Sequence, residues 1–476
     1  MAHTPTEPRG LPRPAGEIAS RKGHIGEVPH APLTAVKPSV PAAPDTARAL
    51  YAHVEALYPI CRSITGPGLR ETLRYIASHI PLEIREVPSG TKVLDWEVPR
   101  EWTVRGASIR TLSGRTIVDF ARNNLHLVQY SAPFDGIVPR EELQRHLYSL
   151  PDQPDLVPYR TGYYADDWGF CLADRDRQAL TEESYRVVVD TTLAPGSLSY
   201  GEYRIPGDSS EEMLFSIHSC HPSLANDNLS GIAVAIELAR RLASRPRRRF
   251  AYRFIFAPGT IGAITWLHFN RDVTARIRHG LVLSNLGDAA PPTYKRSRRG
   301  DALIDRYAAH VLGEEGHGDR LRPFIPYGYD ERQYGSPGFN LPVGCLMRSP
   351  SGTFPEYHTS ADNLSFVKPE ALADSLRLVT RIVDLAENDR VWRNLSPHGE
   401  PQLGRRGLYG KIGGLPAGPA GQGGLDQMSL LWLLNLADGE HSLLDVAQRS
   451  GKSFDSLVAA AAALVEVGLL AESDGA

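Results

Sequence analysis

Apolar residues recur at three- and four-residue spacing from Asp45 onward, through Ala49, Leu50, Val54 and Leu57, which predicts a first amphipathic helix. A break at Tyr58-Pro59 and the turn Cys61-Arg62-Ser63-Ile64-Thr65-Gly66 follow. Leu69, Leu73, Ile76 and Ile80 then predict a second helix. Between residues 87 and 194 the chain is dense in β-branched and aromatic residues broken by Pro, Gly and Asp, the pattern of a β-rich module with one short helix near 140–150. Beyond it, short apolar runs at 213–217, 252–257 and 281–284 alternate with helical stretches, the first of them at 230–243. Such alternation predicts an α/β domain: a mostly parallel sheet with helices on both faces. The β-rich module is then an insertion that divides this domain into 45–86 and 195–400.

Both ends of the chain differ from this core. Residues 1–44 are rich in Pro, Ala, Thr and Arg without apolar periodicity, the composition of a disordered tail. A Gly/Pro-rich linker at 410–424 precedes three short helical patterns, at 429–437, 443–450 and 454–467, and a terminal apolar stretch, Gly468-Leu469-Leu470. That succession predicts a winged helix-turn-helix-like domain at 425–476. Its acids outnumber its bases, Arg449 and Lys452, so it suits packing or protein contact better than DNA phosphate.

Composition narrows the class. A chain of 476 residues exceeds one ordinary core, and a net charge of -3 gives no sign of a nucleic-acid partner. The cysteines, Cys61, Cys171, Cys220 and Cys345, are scattered and form no CxxC pair, which suits a reducing compartment. No apolar run approaches the roughly 18 residues of a membrane helix, and no secretory signal opens the chain. The expectation is a cytoplasmic protein acting on a small molecule away from membranes, with homo-oligomerisation left open.

Two segments carry candidate chemistry. In His218-Ser219-Cys220-His221-Pro222, followed by Asn226-Asp227-Asn228, imidazoles and a carboxylate lie where a buried strand gives way to a helix, the edge at which open α/β sheets bind ligands. Imidazole nitrogen and carboxylate oxygen suit zinc. Far along the chain, Glu356-Tyr357-His358-Thr359-Ser360-Ala361-Asp362 places an acid four residues after a histidine, where it can orient that imidazole or its neighbours.

Together these segments resemble the zinc aminopeptidases and the related glutaminyl cyclases. The resemblance is carried by Asn226-Asp227-Asn228-Leu229-Ser230-Gly231, by Arg62 to Gly66, and by Tyr357-His358-Thr359 with Asp362. A closer likeness is to a bacterial group of aminopeptidase-like proteins of unknown function, through Asp95-Trp96-Glu97-Val98-Pro99, Cys220-His221-Pro222, Tyr294-Lys295-Arg296-Ser297 and Glu356-Tyr357-His358-Thr359-Ser360. It extends over nearly the whole chain. It implies a zinc-exopeptidase-like fold with His221, Asp227 and His358 as metal ligands, His218 standing as an alternative to His221. Asp362 and Tyr357 would support them. The superfamily layout also puts residues 329–339 beside the metal, where Asp330 or Glu331 would hold a substrate amine and Arg348, Arg298 or Arg299 a carboxylate.

Two departures bear on activity. Where the resemblance implies paired glutamates, a general base and a ligand, this chain has Gly259 and Thr260. Where a further ligand aspartate is implied, it has Ser284, with Asp288 nearby. One zinc ion is therefore expected rather than two. Glu356, Asp288 or Asp330 could replace the missing base in a hydrolase acting on a peptide or aminoacyl amide. A substrate amine could instead attack, giving acyl transfer, amide formation or cyclisation. Binding without catalysis is the third reading.

Overall fold

The computed structural model describes residues 44–408 and 425–473; the expected tail, but for Pro44, and the expected linker lie outside them. The first two helices form at Pro44–Leu57 and Pro67–Ala77, the second opening on a proline suited to a first helical turn. Gly66 before it has φ +95°, and a Cβ there would stand 2.2 Å from the Trp102 carbonyl oxygen, so the turn tolerates only glycine.

The main sheet has eight strands in the order Glu83–Pro88, Ser197–Ile205, Ala251–Ala257, Glu212–His218, Ile277–Leu283, Val343–Met347, Thr293–Lys295, Leu321–Arg322. The four strands from Ala251–Ala257 to Val343–Met347 run parallel. Their residues are almost all buried, as expected of strands covered on both faces. The flanking pairs Ser197–Ile205 with Ala251–Ala257 and Thr293–Lys295 with Val343–Met347 are antiparallel, so the sheet is mixed at its edges.

Pro44–Leu57, Gly231–Ala243, Leu303–Glu314 and Pro369–Asn388 share one hydrophobic core with one face of the sheet. A second core joins the other face to the inserted module and to Ile261–Phe269. The insertion is built on an antiparallel sheet in the order Thr116–Asp119, Glu101–Thr111, Ser184–Ala194, Phe134–Pro139. Its expected helix is a short turn, Arg140–Leu143, followed by a 3-10 turn and the strand Leu147–Tyr148.

Helices Gln427–Leu436, Leu443–Ser450 and Phe454–Glu466 and strand Leu470–Glu472 make the C-terminal module. Its sheet takes Val391–Asn394 as central strand, although that segment precedes the boundary drawn at residue 400. The module is tied to the main domain by Arg306 to Asp445 at 2.6 Å and Arg381 to Asp455 at 2.8 Å. Among the described residues, no helix is long and apolar enough to cross a membrane.

Candidate metal centre

Strand Glu212–His218 delivers His218 to the carboxyl edge of the parallel sheet, and the following loop returns His221 and Asp227 to it. Asp227 is 1% exposed. His218 Nε2 lies 2.6 Å from Asp227 Oδ1, and His221 Nδ1 lies 3.5 Å from the same oxygen. His358 Nε2 lies 3.0 Å from Oδ2. One ligand atom each from His218, His221 and Asp227 falls within 4.8 Å of the others, close enough to hold one ion. His358 comes in from the other oxygen, with φ 55°, a left-handed conformation that a side chain other than glycine adopts only where its surroundings impose it. His218 at the end of the strand and His221 in the Cys-His-Pro turn therefore both reach Asp227, and His218 stands nearer.

The donor set suits a divalent cation. Burial drives the His218 imidazole down to about 4, against the pull of Asp227, so the ring is neutral. Burial opposes ionisation of Asp227, but His221 and His218 hold its carboxyl well below the usual range. His221 Nδ1 is buried without a hydrogen-bond partner, an orphan that a cation would satisfy.

The surroundings fix these donors. Asp362 accepts the backbone N–H of Asn226 at 2.6 Å and of Asp227 at 3.0 Å, so it orients the loop rather than the His358 ring. Tyr357 stacks on His358 at 3.9 Å between ring centroids. Arg62 donates through Nε to the His221 carbonyl at 2.8 Å, which explains the arginine of the opening turn.

Other expected residues are placed elsewhere. The Asp288 carboxylate accepts from Asn226, Ser349 and Ala290 and is buried, so its acceptor sites are filled and it is not poised as a base. Glu331 is fully buried on Lys295 and the Tyr329 amide, and Arg348 ties Ala290 to helix Pro369–Asn388, so neither is free for substrate. Asp330 is fully buried, with burial and Glu331 raising its carboxyl to about 8. Arg298 and Arg299 are spent on Asn340. Glu356 is partly exposed and does not line the cavity described next.

That cavity, of about 850 Å³, opens over His221 and His358. One wall comes from the insertion: Tyr159 donates its N–H to the His358 carbonyl at 2.8 Å, and its ring stands edge-on to both imidazoles. The other comes from Tyr329. Its ring stacks on His218 with centroids 3.5 Å apart, and its hydroxyl lies 3.4 Å from His221 Nε2 and 3.6 Å from Cys220 Sγ. Burial keeps it a neutral phenol. Tyr329 opens the segment 329–339 expected beside the metal, whereas the Tyr159 wall was not singled out from sequence. Its signal was a run of polar-tipped aromatics, Tyr159, Tyr163 and Tyr164, within the insertion.

Fold and centre together define an aminopeptidase-like α/β protein carrying a C-terminal winged helix-turn-helix module. The chain belongs to the family described as a domain of unknown function (DUF4910), whose model matches residues 51–389, and a winged helix-turn-helix model matches 390–472. It is 46% identical over 426 residues to a Clostridium acetobutylicum protein named "Putative polysaccharide biosynthesis protein with aminopeptidase-like domain", covering 90% of this chain and 96% of that one. The crystal structure of a "putative peptidase" from Clostridium acetobutylicum has a TM-score of 0.84 at 45% identity, over 90% of this chain and 97% of that one. BSAP, a zinc aminopeptidase from Bacillus subtilis, has a TM-score of 0.53 at 17% identity, over 72% and 95%, a likeness of fold.

Proposed function

We propose that this chain is a single-metal enzyme that acts at an amide of a small peptide-like or amino-acid-derived molecule. The observation that carries the reading is one buried carboxylate, Asp227, with imidazoles on both of its oxygens, two of which, His221 and His358, line a cavity. His218, His221, Asp227 and His358 would hold the cation, and zinc fits neutral imidazole with carboxylate. A zinc ion there supplies a Lewis acid for a carbonyl oxygen and an acidified water. Asp362 fixes the loop that carries Asp227, and Tyr159 and Tyr329 screen the donors from bulk water. The Tyr329 hydroxyl, beside His221, can donate to an oxygen that gains charge.

Hydrolysis of a peptide or aminoacyl amide is the first form of this reading, and the peptidase named among the structural relatives supports it. A second form is favoured by Gly259, which supplies no base and whose side-chain space Tyr329 fills. In that form a substrate amine attacks, giving acyl transfer, amide formation or cyclisation. The relative named for polysaccharide biosynthesis supports a small intermediate as substrate.

The test is metal analysis of the purified chain, with a panel of aminoacyl amides followed by mass spectrometry. Bound zinc with cleaved amide supports hydrolysis, and bound zinc with a condensed or dehydrated product supports the second form. An intact fold that takes up no metal from supplemented medium sinks both and leaves a binding or scaffold role.

A further inference from the structure

The cavity over His221 and His358 has an unusual charge for a site expected to seize a free amine. No Asp or Glu is among its lining residues, whereas Arg160 and Arg332 both are. Of the acids nearest in sequence to Arg332, Glu331 is held by Lys295, and Asp330 is fully buried, off the cavity wall, where it feels the Arg332 charge without a hydrogen bond to it. Arg332 Nε is buried with no hydrogen-bond partner. A buried guanidinium N–H left unpaired is costly unless something supplies an acceptor, and its planar fork matches carboxylate or phosphate oxygens. Arg160 is exposed, and its charge reaches His358. Among the described residues neither arginine forms an ion pair. The rest of the wall is polar-tipped aromatic surface from Tyr159, Tyr163 and Tyr164, with Trp96 and Tyr164 at 5.8 Å between ring centroids and each about half exposed.

We propose that this cavity recognises its ligand through an anionic group, a carboxylate or a phosphate, held between Arg160 and Arg332, and not through a free amine. The inference rests on the reading of the cavity as the substrate site of the metal centre and narrows the substrate class to small anions. The insertion then has a binding role, because Tyr159, Arg160, Tyr163 and Tyr164 all belong to it. The ring or chain of the ligand lies along those tyrosines, with its reacting end at His221 and His358.

The experiment is isothermal titration of the full-length protein, stripped with EDTA so that the arginines are read without the cation. The probes are inorganic phosphate, D-glucuronate, neutral D-glucose and cationic L-leucinamide. At least one anion binds about tenfold or more tightly than glucose, and leucinamide binds weakest. Tighter glucuronate assigns the carboxylate, and tighter phosphate assigns the phosphate. Arg332→Gln and Arg160→Gln each weaken the anion about tenfold and leave glucose unchanged. Arg160 is exposed, so its variant keeps the fold if Arg332→Gln does not. No measurable anion binding, unchanged anion affinity in both variants, or preference for leucinamide overturns the proposal. Zinc content measured on the same proteins before EDTA treatment separates the two readings: bound zinc with no anion preference sinks only this one, and anion binding by a protein that takes up no zinc from supplemented medium sinks only the metal centre.

Discussion

A Cβ built on Gly259 would lie 1.9 Å from Cε1 of Tyr329, so the tyrosine ring occupies the space that a side chain at 259 would need. The same ring lies flat on His218. A side chain at 259 and the Tyr329 ring in this position therefore exclude each other, and a glutamate cannot be placed at 259 unless the ring moves.

Gly259→Ala alone overpacks this contact and costs about 1–3 kcal/mol. In a Tyr329→Ala background most of that cost disappears, giving a coupling energy of about 0.5–3 kcal/mol in a double-mutant cycle read by urea unfolding. Strictly additive variants would show that the two positions do not contend for space. Gly259→Glu belongs in the Tyr329→Ala background as well. A carboxylate that acts there as base raises aminoacyl-amide hydrolysis by about 10²–10⁴-fold over Tyr329→Ala.

The sheet and the clustering of Asp227 with His358 were legible in the chain because each is written locally. Met213 to Ile217 is buried on both faces and apolar but for Ser216, and Asp227 and His358 sit in short distinctive segments. The contacts of the walls were not legible, even where the segment 329–339 was expected beside the metal, because they depend on pairings between distant residues. Tyr159 reaches the centre through its N–H on the His358 carbonyl and its ring on both imidazoles, and Tyr329 by stacking on His218 and by its hydroxyl beside His221. Asp288, Glu331 and Arg348 misled for the converse reason. Their side chains are of the kinds that catalysis uses, but Asn226, Lys295 and Asp374, all remote in sequence, satisfy them internally. Composition cannot distinguish a satisfied charge from a free one; Arg332, with its unpaired Nε, looks the same in sequence.

Arg253 tests the sheet rather than the site. It donates to Glu212 at 2.6 and 2.9 Å and also to Glu202, which accepts from Trp266 as well. Arg253→Ala leaves buried carboxylates short of a cation and costs about 3–5 kcal/mol in urea unfolding. A loss under about 1 kcal/mol would mean that Arg204 and Trp266 suffice, within the range of an exposed pair.

The link between helix Pro67–Ala77 and the insertion is sensitive to acid. Arg70 bonds both oxygens of Glu101, at 3.0 and 2.5 Å, and this pairing lowers the Glu101 pKa. A carboxyl whose folded pKa lies below its unfolded value, about 4.3, stabilises the fold above that value and loses the effect as pH falls through the folded one. Glu101→Gln therefore lowers stability at neutral pH by up to about 1 kcal/mol, given the partial exposure of the pair. The difference in melting temperature from the parent holds from pH 7 to about 4.3 and narrows as pH falls below that. A gap that stays constant below about pH 4.3 would assign the effect to packing instead of charge.

Metal removal bears on the ranking of the two neighbouring histidines. The resemblance favours His221, whereas His218 Nε2 stands 0.9 Å nearer to Asp227 Oδ1, at 2.6 against 3.5 Å. If both bind, His218→Ala and His221→Ala each weaken zinc by about tenfold or more in competition with a chromophoric chelator, as expected when a ligand or its outer partner is lost. If His218 only orients Asp227 by a hydrogen bond, His218→Asn keeps much of the affinity and His218→Ala does not. Zinc at a thousandfold excess over its Kd should stabilise the parent by about 4 kcal/mol, and EDTA should reverse this. Asp362→Asn, which disturbs the bonds from the Asn226 and Asp227 N–H groups, should cost about 10–100-fold in zinc affinity while leaving every donor in place. Zinc affinity indifferent to Asp362 would mean that the loop carrying Asp227 is held by its other contacts, chiefly Asn228 on the His218 and Leu283 carbonyls.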